Sequence, residues 1–298
     1  MPDAAAALAP ADRGGGLARL YAPLPRPRWA RGTTGRGVRV AVIDSGWDHA
    51  LRVPGLRLRP GVSFAGGAGA PPADDGDRIG HGTACISTLF RVAPEAEICP
   101  VRVFGDAFDT SVAALRAALE WAVRERFDVI SLSLWTPRAD ALVPLYAACE
   151  EARRSGVVIV AAAPDDPRTE HVYPAVFGSV LSVGEGPFGD PFDYAFRHGA
   201  AVECLAAPGD HGAVLWRGGP RDGMWGSSFA APNVAGIAAL LCERHPGAGL
   251  EEVRGHLARH ARPLPADAEA VRETRRAAGR TAHDAARQPS SSPDPRDA

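Results

Sequence analysis

Val38-Arg39-Val40-Ala41-Val42-Ile43-Asp44-Ser45-Gly46 decides the fold. The run from Val38 to Ile43 is β-branched and almost wholly apolar, the mark of a short strand buried on both faces of a parallel sheet. It stops abruptly in the polar turn Asp44-Ser45-Gly46. In open α/β sheets, ligand crevices lie at such carboxyl ends. A strand-end aspartate also serves as an ordinary turn or cap residue, so Asp44 alone leaves both readings open.

Working outward, the pattern repeats. Ile98 to Phe104, Phe127 to Leu134, Val157 to Ala163, Val180 to Val183 and Ala201 to Ala206 read as further strands. Ser111 to Arg126 and Leu142 to Ser155 have helical periodicity, the first capped by Thr110 or Ser111 and the second closed by Gly156. Asn233 to Glu243 and Leu250 to His260 read as two more helices. Strands alternating with helices predict a three-layer α/β fold, a mostly parallel sheet with helices on both faces. Residues 1–35, rich in Ala, Gly, Pro and Arg, are expected to form a flexible lead to a domain over 36–262. Residues 263–298 are expected to form a disordered tail, ending near Ser290-Ser291-Ser292-Pro293.

Composition narrows the function classes. The chain has 298 residues, 46% of them hydrophobic, enough for a sizeable core. Every basic side chain is arginine, and the formal net charge of -2 offers no basic field for nucleic acid. No apolar run reaches membrane-spanning length and no signal peptide is legible, so neither nucleic acid nor membrane is expected as a partner. Five cysteines at 85, 99, 149, 204 and 242 lack metal-ligand spacing. Reduced thiols, a cytoplasmic setting and no cofactor are the expectation; the oligomeric state is not legible.

Two further stretches carry chemistry. In Gly80-His81-Gly82-Thr83-Ala84-Cys85 a histidine opens a helix of small residues, with glycines keeping the ring accessible. Cys85 stands one turn on, close to that ring. In Gly226-Ser227-Ser228-Phe229-Ala230-Ala231-Pro232-Asn233 a tight turn enters an Ala-rich helix, with Ser228 at its start and Pro232 read as lying in its first turns. A helix N-terminus favours an anion forming beside it, as an attacking serine needs; the same pattern also serves as a plain N-cap. Asp44, His81 and Ser228 together supply the orienting carboxylate, base and nucleophile of acyl transfer.

These blocks, in this order, resemble the subtilisin-like serine proteases. Val40 to Gly46 is similar to that family's catalytic-aspartate strand, Gly80 to Thr83 to its histidine motif, and Gly226 to Gly236 to its nucleophile block, over roughly residues 36–262. The resemblance implies a subtilisin-like fold, a serine endopeptidase acting on a peptide or protein substrate, and a triad of Asp44, His81 and Ser228. It implies that Ser133 and Leu134, on an exposed strand edge, pair with substrate, and that Trp135, Ala162 and Pro164 line the cleft. It places Asp165 with Ser228 at the oxyanion hole. The chain departs from the pattern where Trp135 and Pro164 replace small residues, which predicts a narrow substrate range such as precursor processing. Asp165 stands where an asparagine donor is usual, with Asp166 beside it as a like charge, which predicts weak neutral activity or an acid-shifted optimum. An inactive, peptide-binding protein on the same fold is the alternative that Asp165 leaves open. The family's calcium loop after the histidine helix is not recognisable, and no metal is expected.

Overall fold

The computed structural model describes residues 24–66, 74–165, 169, 172–209, 214–216, 219–221 and 226–265. At its centre is the strand read first, β1 (Arg39–Asp44). Short β2 (Arg57–Leu58) and β3 (Val62–Ser63), neither of them read as a strand from the sequence, come next. Then come α1 (His81–Val92), β4 (Glu97–Arg102), α2 (Val112–Arg124), β5 (Val129–Leu132) and α3 (Leu142–Arg154). β6 (Val158–Ala162), β7 (Leu181–Glu185), β8 (Tyr194–Phe196) and β9 (Cys204–Ala206) follow. A β-hairpin of β10 (Val214–Trp216) and β11 (Gly219–Arg221) precedes α4 (Ser227–Arg244) and α5 (Leu250–His260).

The sheet runs β2-β4-β1-β5-β6-β7-β9-β8, with β3 also on β4. All its pairs are parallel except β8 with β9. Alternation along each strand divides the core. Val40 and Val42 of β1, with Val158 and Val160 of β6, face α1, α4 and α5. Ala41 and Ile43, with Ile159 and Ala161, face α2 and α3. This is the expected three-layer α/β arrangement. β4 lies on one side of β1 and the next central strand, β5, on the other. The topology therefore switches at β1, and a crevice opens beyond its carboxyl end, where Asp44 stands.

Several local readings change. Of residues 1–35, those from 24 are described and packed: Ala30 is buried, and Trp29 lies against Phe192 and His260. The expected tail lies outside the described residues from 266 on. β4 stops at Arg102 and β9 covers only Cys204–Ala206. α4 begins at Ser227, well before Asn233, so Pro232 sits beyond its first turn. Its missing N–H leaves the carbonyl four residues back, that of Ser228, without a helical donor. The Ser133 hydroxyl donates to that carbonyl at 2.7 Å. β5 is interior and ends at Leu132, so Ser133 and Leu134 lie past the strand rather than on an exposed edge, and both are buried.

Candidate active site

Asp44 is fully buried at the end of β1. Its carboxylate holds His81 Nδ1 at 2.8 Å from Oδ1 and 3.0 Å from Oδ2. The backbone N–H of Ser45 donates to Oδ1 at 2.7 Å, fixing the carboxylate from below. Helix α1 must start hard against this turn. The Ser45 hydroxyl accepts from Gly82 N–H at 2.7 Å, and a Cβ on Gly82 would stand 2.5 Å from the Gly46 carbonyl oxygen. Only glycine allows that approach.

Asp77, which the sequence reading passed over, ties down the same helix start. Its Oδ1 accepts from Ile79 N–H at 2.9 Å and Gly80 N–H at 2.7 Å. Its Oδ2 accepts from Thr83 N–H at 2.9 Å and the Thr83 hydroxyl at 2.6 Å. An acidic residue a few positions before the Gly-His-Gly was the available signal for such a cap.

Burial is the largest influence on His81 and disfavours a charged ring, but the Asp44 carboxylate and the Cys85 side chain together outweigh it and hold the imidazole pKa well above its ordinary value. Cys85, one turn along α1, is also buried. Its Sγ lies 3.7 Å from both His81 Nδ1 and Asp44 Oδ2, as its place in the sequence suggested. Burial pushes that thiol's pKa up. Three aromatic rings stand around His81. Phe108 meets it edge-on at 5.4 Å, Trp216 edge-on at 6.3 Å and Phe229 at 5.7 Å. Phe108 and Trp216 were not foreseen, because they come from a loop and a hairpin with no motif of their own.

Ser228 is the second residue of α4, and its carbonyl lies 3.5 Å from Cys85 Sγ. It is therefore packed against the Asp44–His81 cluster through its own backbone. Gly226 caps α4 without a side chain, and the first N–H, of Ser227, goes to Asp165 Oδ1 at 2.9 Å. Asp165 thus accepts at the helix N-terminus, where a negative group is favoured. Among the described residues the adjacent Ser228 N–H has no acceptor. Pro164 is half-buried, Ala162 is buried at the end of β6, and Trp135 is 39% exposed. Asp166 lies outside the described residues. Among them the carboxylate, thiol and imidazole of Asp44, Cys85 and His81 form one group with metal-ligand reach. No helix among them is long and apolar enough to cross a membrane.

The model of the subtilase family matches residues 35–285. M-protease of Shouchella clausii is 33% identical over 251 residues, covering 81% of this chain and 63% of that protein's length. Subtilisin Savinase of Lederbergia lenta is 33% identical, covering 81% of this chain and 88% of its own. The crystal structure of a cold adapted subtilisin-like serine proteinase superposes with a TM-score of 0.66 at 27% identity, covering 82% of this chain and 90% of the other.

Proposed function

The chain belongs to the subtilase family, and from that premise we propose that it is a serine endopeptidase whose catalytic residues are Asp44, His81 and Ser228. The observation that carries the proposal is the buried Asp44–His81 hydrogen bond of 2.8 Å set against the start of α4, where Ser228 lies. Ser228 Oγ attacks the carbonyl carbon of the peptide bond. Its proton passes to His81 Nε2 while Asp44 keeps the other ring nitrogen protonated and stabilises the imidazolium. The oxyanion is stabilised by the Ser228 N–H and the positive end of α4. The imidazolium then protonates the leaving amine, and water, activated by the same ring, hydrolyses the acyl-enzyme.

We further infer a narrow substrate range. Trp135, which the family resemblance puts at the cleft, and the exposed Phe108 beside His81 would put bulky rings where substrate side chains lie. Such a site suits a dedicated peptide or precursor. Cleavage profiling with a random peptide library should return few sites, and broad cutting after large residues would contradict this.

A fluorophosphonate probe tests the main proposal. The native protein should be labelled at Ser228, and Ser228→Ala and His81→Ala should lose labelling together, since the triad acts as a unit. Undiminished labelling of Ser228→Ala would overturn the assignment.

A further inference from the structure

We propose that Trp216 is a positioning residue, which holds the His81 ring in the orientation that serves Ser228. The proposal rests on the reading of His81 as the base. The Asp44 carboxylate grips one corner of the imidazole, at Nδ1. A ring held at one corner can still tilt about that bond. The far nitrogen, Nε2, then swings away from the serine hydroxyl, and a small misplacement of a base is costly. The ring therefore needs a stop of its own.

Three aromatic rings reach it, and they are not equivalent stops. Phe108 is 58% exposed on a loop. Phe229 belongs to α4, the helix that carries Ser228. Trp216 spans both helices. Its indole, half-buried, packs on the pair formed by Ala84 of α1 and Phe229 of α4. It meets the His81 ring edge-on, with centroids 6.3 Å apart and planes at 87°, inside the range of about 4.5–7 Å for such pairs.

The indole is itself held in place. Successive side chains of a strand point to opposite faces, and Leu215, next to Trp216 in β10, is sunk in the core at 1% exposure. Its backbone N–H donates to the Ser87 hydroxyl of α1 at 3.0 Å, and that hydroxyl donates to the Ala84 carbonyl at 2.9 Å. β10 is thereby fastened to the helix that opens with His81. The fit is closest at Gly80, where a Cβ would stand 2.4 Å from the indole Nε1 and 2.6 Å from its Cδ1. The glycine before His81 thus makes room for the indole.

Two readouts on the full chain test this, in the native protein and in Trp216→Ala, Trp216→Leu and Trp216→Phe. The first is fluorophosphonate labelling of Ser228 followed to saturation, which separates the limiting rate kinact from the binding constant KI. In Trp216→Ala, kinact should fall by up to about 10²-fold, the cost of a misplacement of about 1 Å, with KI unchanged. Trp216→Phe should regain most of the rate. Trp216→Leu keeps apolar volume against Ala84 and Phe229 but has no flat ring. It should fold and label slowly, and it carries the test if the alanine variant does not fold. The second readout is the proton NMR signal of the His81 Nδ1–H, in protein with isotope-labelled histidine, which the bond to Asp44 moves to low field. It should be sharp in the native protein and Trp216→Phe, and broadened by exchange with water in the other two. An unchanged kinact, or one that Trp216→Phe does not restore, overturns the proposal. So does a raised KI with kinact held, which would make Trp216 a wall of the cleft only. A fall in kinact with the signal still sharp overturns it too, since the loss then lies elsewhere. If the native protein never labels, the peptidase reading has failed, and the signal alone decides the hold on the ring: broadened in Trp216→Ala and Trp216→Leu it stands, sharp in them it falls.

Discussion

At the scale of single residues, two charged groups pull the pH behaviour in opposite directions. Asp165 in place of a donor suggested an acid-preferring enzyme, since only a protonated carboxyl can donate to an oxyanion. In the structure Asp165 accepts instead, from the Ser227 N–H at 2.9 Å. His81 must be neutral to take the serine proton, and against its burial Asp44 and Cys85 together raise its pKa well above the ordinary value. The sign follows: protonation of the base shuts down kcat/KM on the acid side, and a raised pKa moves that limb up, above the about 6.5 of an unperturbed histidine. An alkaline plateau is expected, and a limb below that value would contradict it. Asp165→Asn should leave the limb in place, because it does not touch the ring. It keeps an acceptor for Ser227 and adds N–H donors beside the oxyanion. One such donor is worth about 10²–10³ in kcat, so the plateau should rise by up to that factor. An unchanged or lower plateau would place Asp165 outside the oxyanion's reach.

At the scale of elements, the reactive groups are aligned by helix ends and strand ends as well as by the Asp44–His81 hydrogen bond. α1 is pinned by Asp77 through four hydrogen bonds, and α4 by Asp165 at its first N–H. Asp77→Ala should therefore act as a positioning mutation. The loss of a cap costs about 0.5–2 kcal/mol, and four bonds to a buried carboxylate put this case at the upper end. Urea unfolding should show that loss, and kcat should fall while KM holds, because His81 shifts and the binding surface does not. A fall in stability with kcat unchanged would make Asp77 a purely structural cap. The same scale explains what was legible beforehand. The β1 strand and the α5 helix (Leu250–His260) were readable because their signals are local: a β-branched run, and an apolar periodicity with acidic residues in the first turn. The front of α4 was legible in one way and not in another: the Gly-Ser-Ser turn placed Ser228 at the helix entry, within one residue of the observed start, while the periodic stretch was readable only from Asn233. The helix runs unbroken through Ser227 to Ala231 and past Pro232, because Ser133 takes up the carbonyl that the proline orphans. Asp44, His81 and Ser228 could be picked out by residue type and order, whereas Phe108 and Trp216 could not, since only the folded sheet brings their loops to His81.

At the scale of the whole molecule, the sheet's far half is locked to α5, the last of the described helices, by one buried ion pair. Arg254 of α5 reaches Glu203, just before β9, with Nη2 at 2.8 Å and Nε at 3.0 Å, and also donates to the Val180 carbonyl at 3.3 Å ahead of β7. Both side chains are more than nine-tenths buried. α5 thus reports on β7 and β9, on the opposite side of β6 from β1 and its Asp44. Arg254→Met should leave Glu203 as an uncompensated buried charge, at a cost of about 3–5 kcal/mol. A buried pair replaced as a unit is often neutral, so Glu203→Gln combined with Arg254→Met should recover most of that loss. The two sites are in contact, so their effects must couple in a double-mutant cycle measured by urea unfolding. If the lock is structural only, fluorophosphonate labelling of the folded fraction should be the same in all four proteins. An Arg254→Met loss below about 1 kcal/mol would mean that Glu203 is held by other donors, of which the Gly199 N–H at 3.1 Å is the first to examine. A strong loss with no recovery in the double variant would mean instead that the guanidinium's bond to the Val180 carbonyl, and not the charge pair, ties α5 to the sheet.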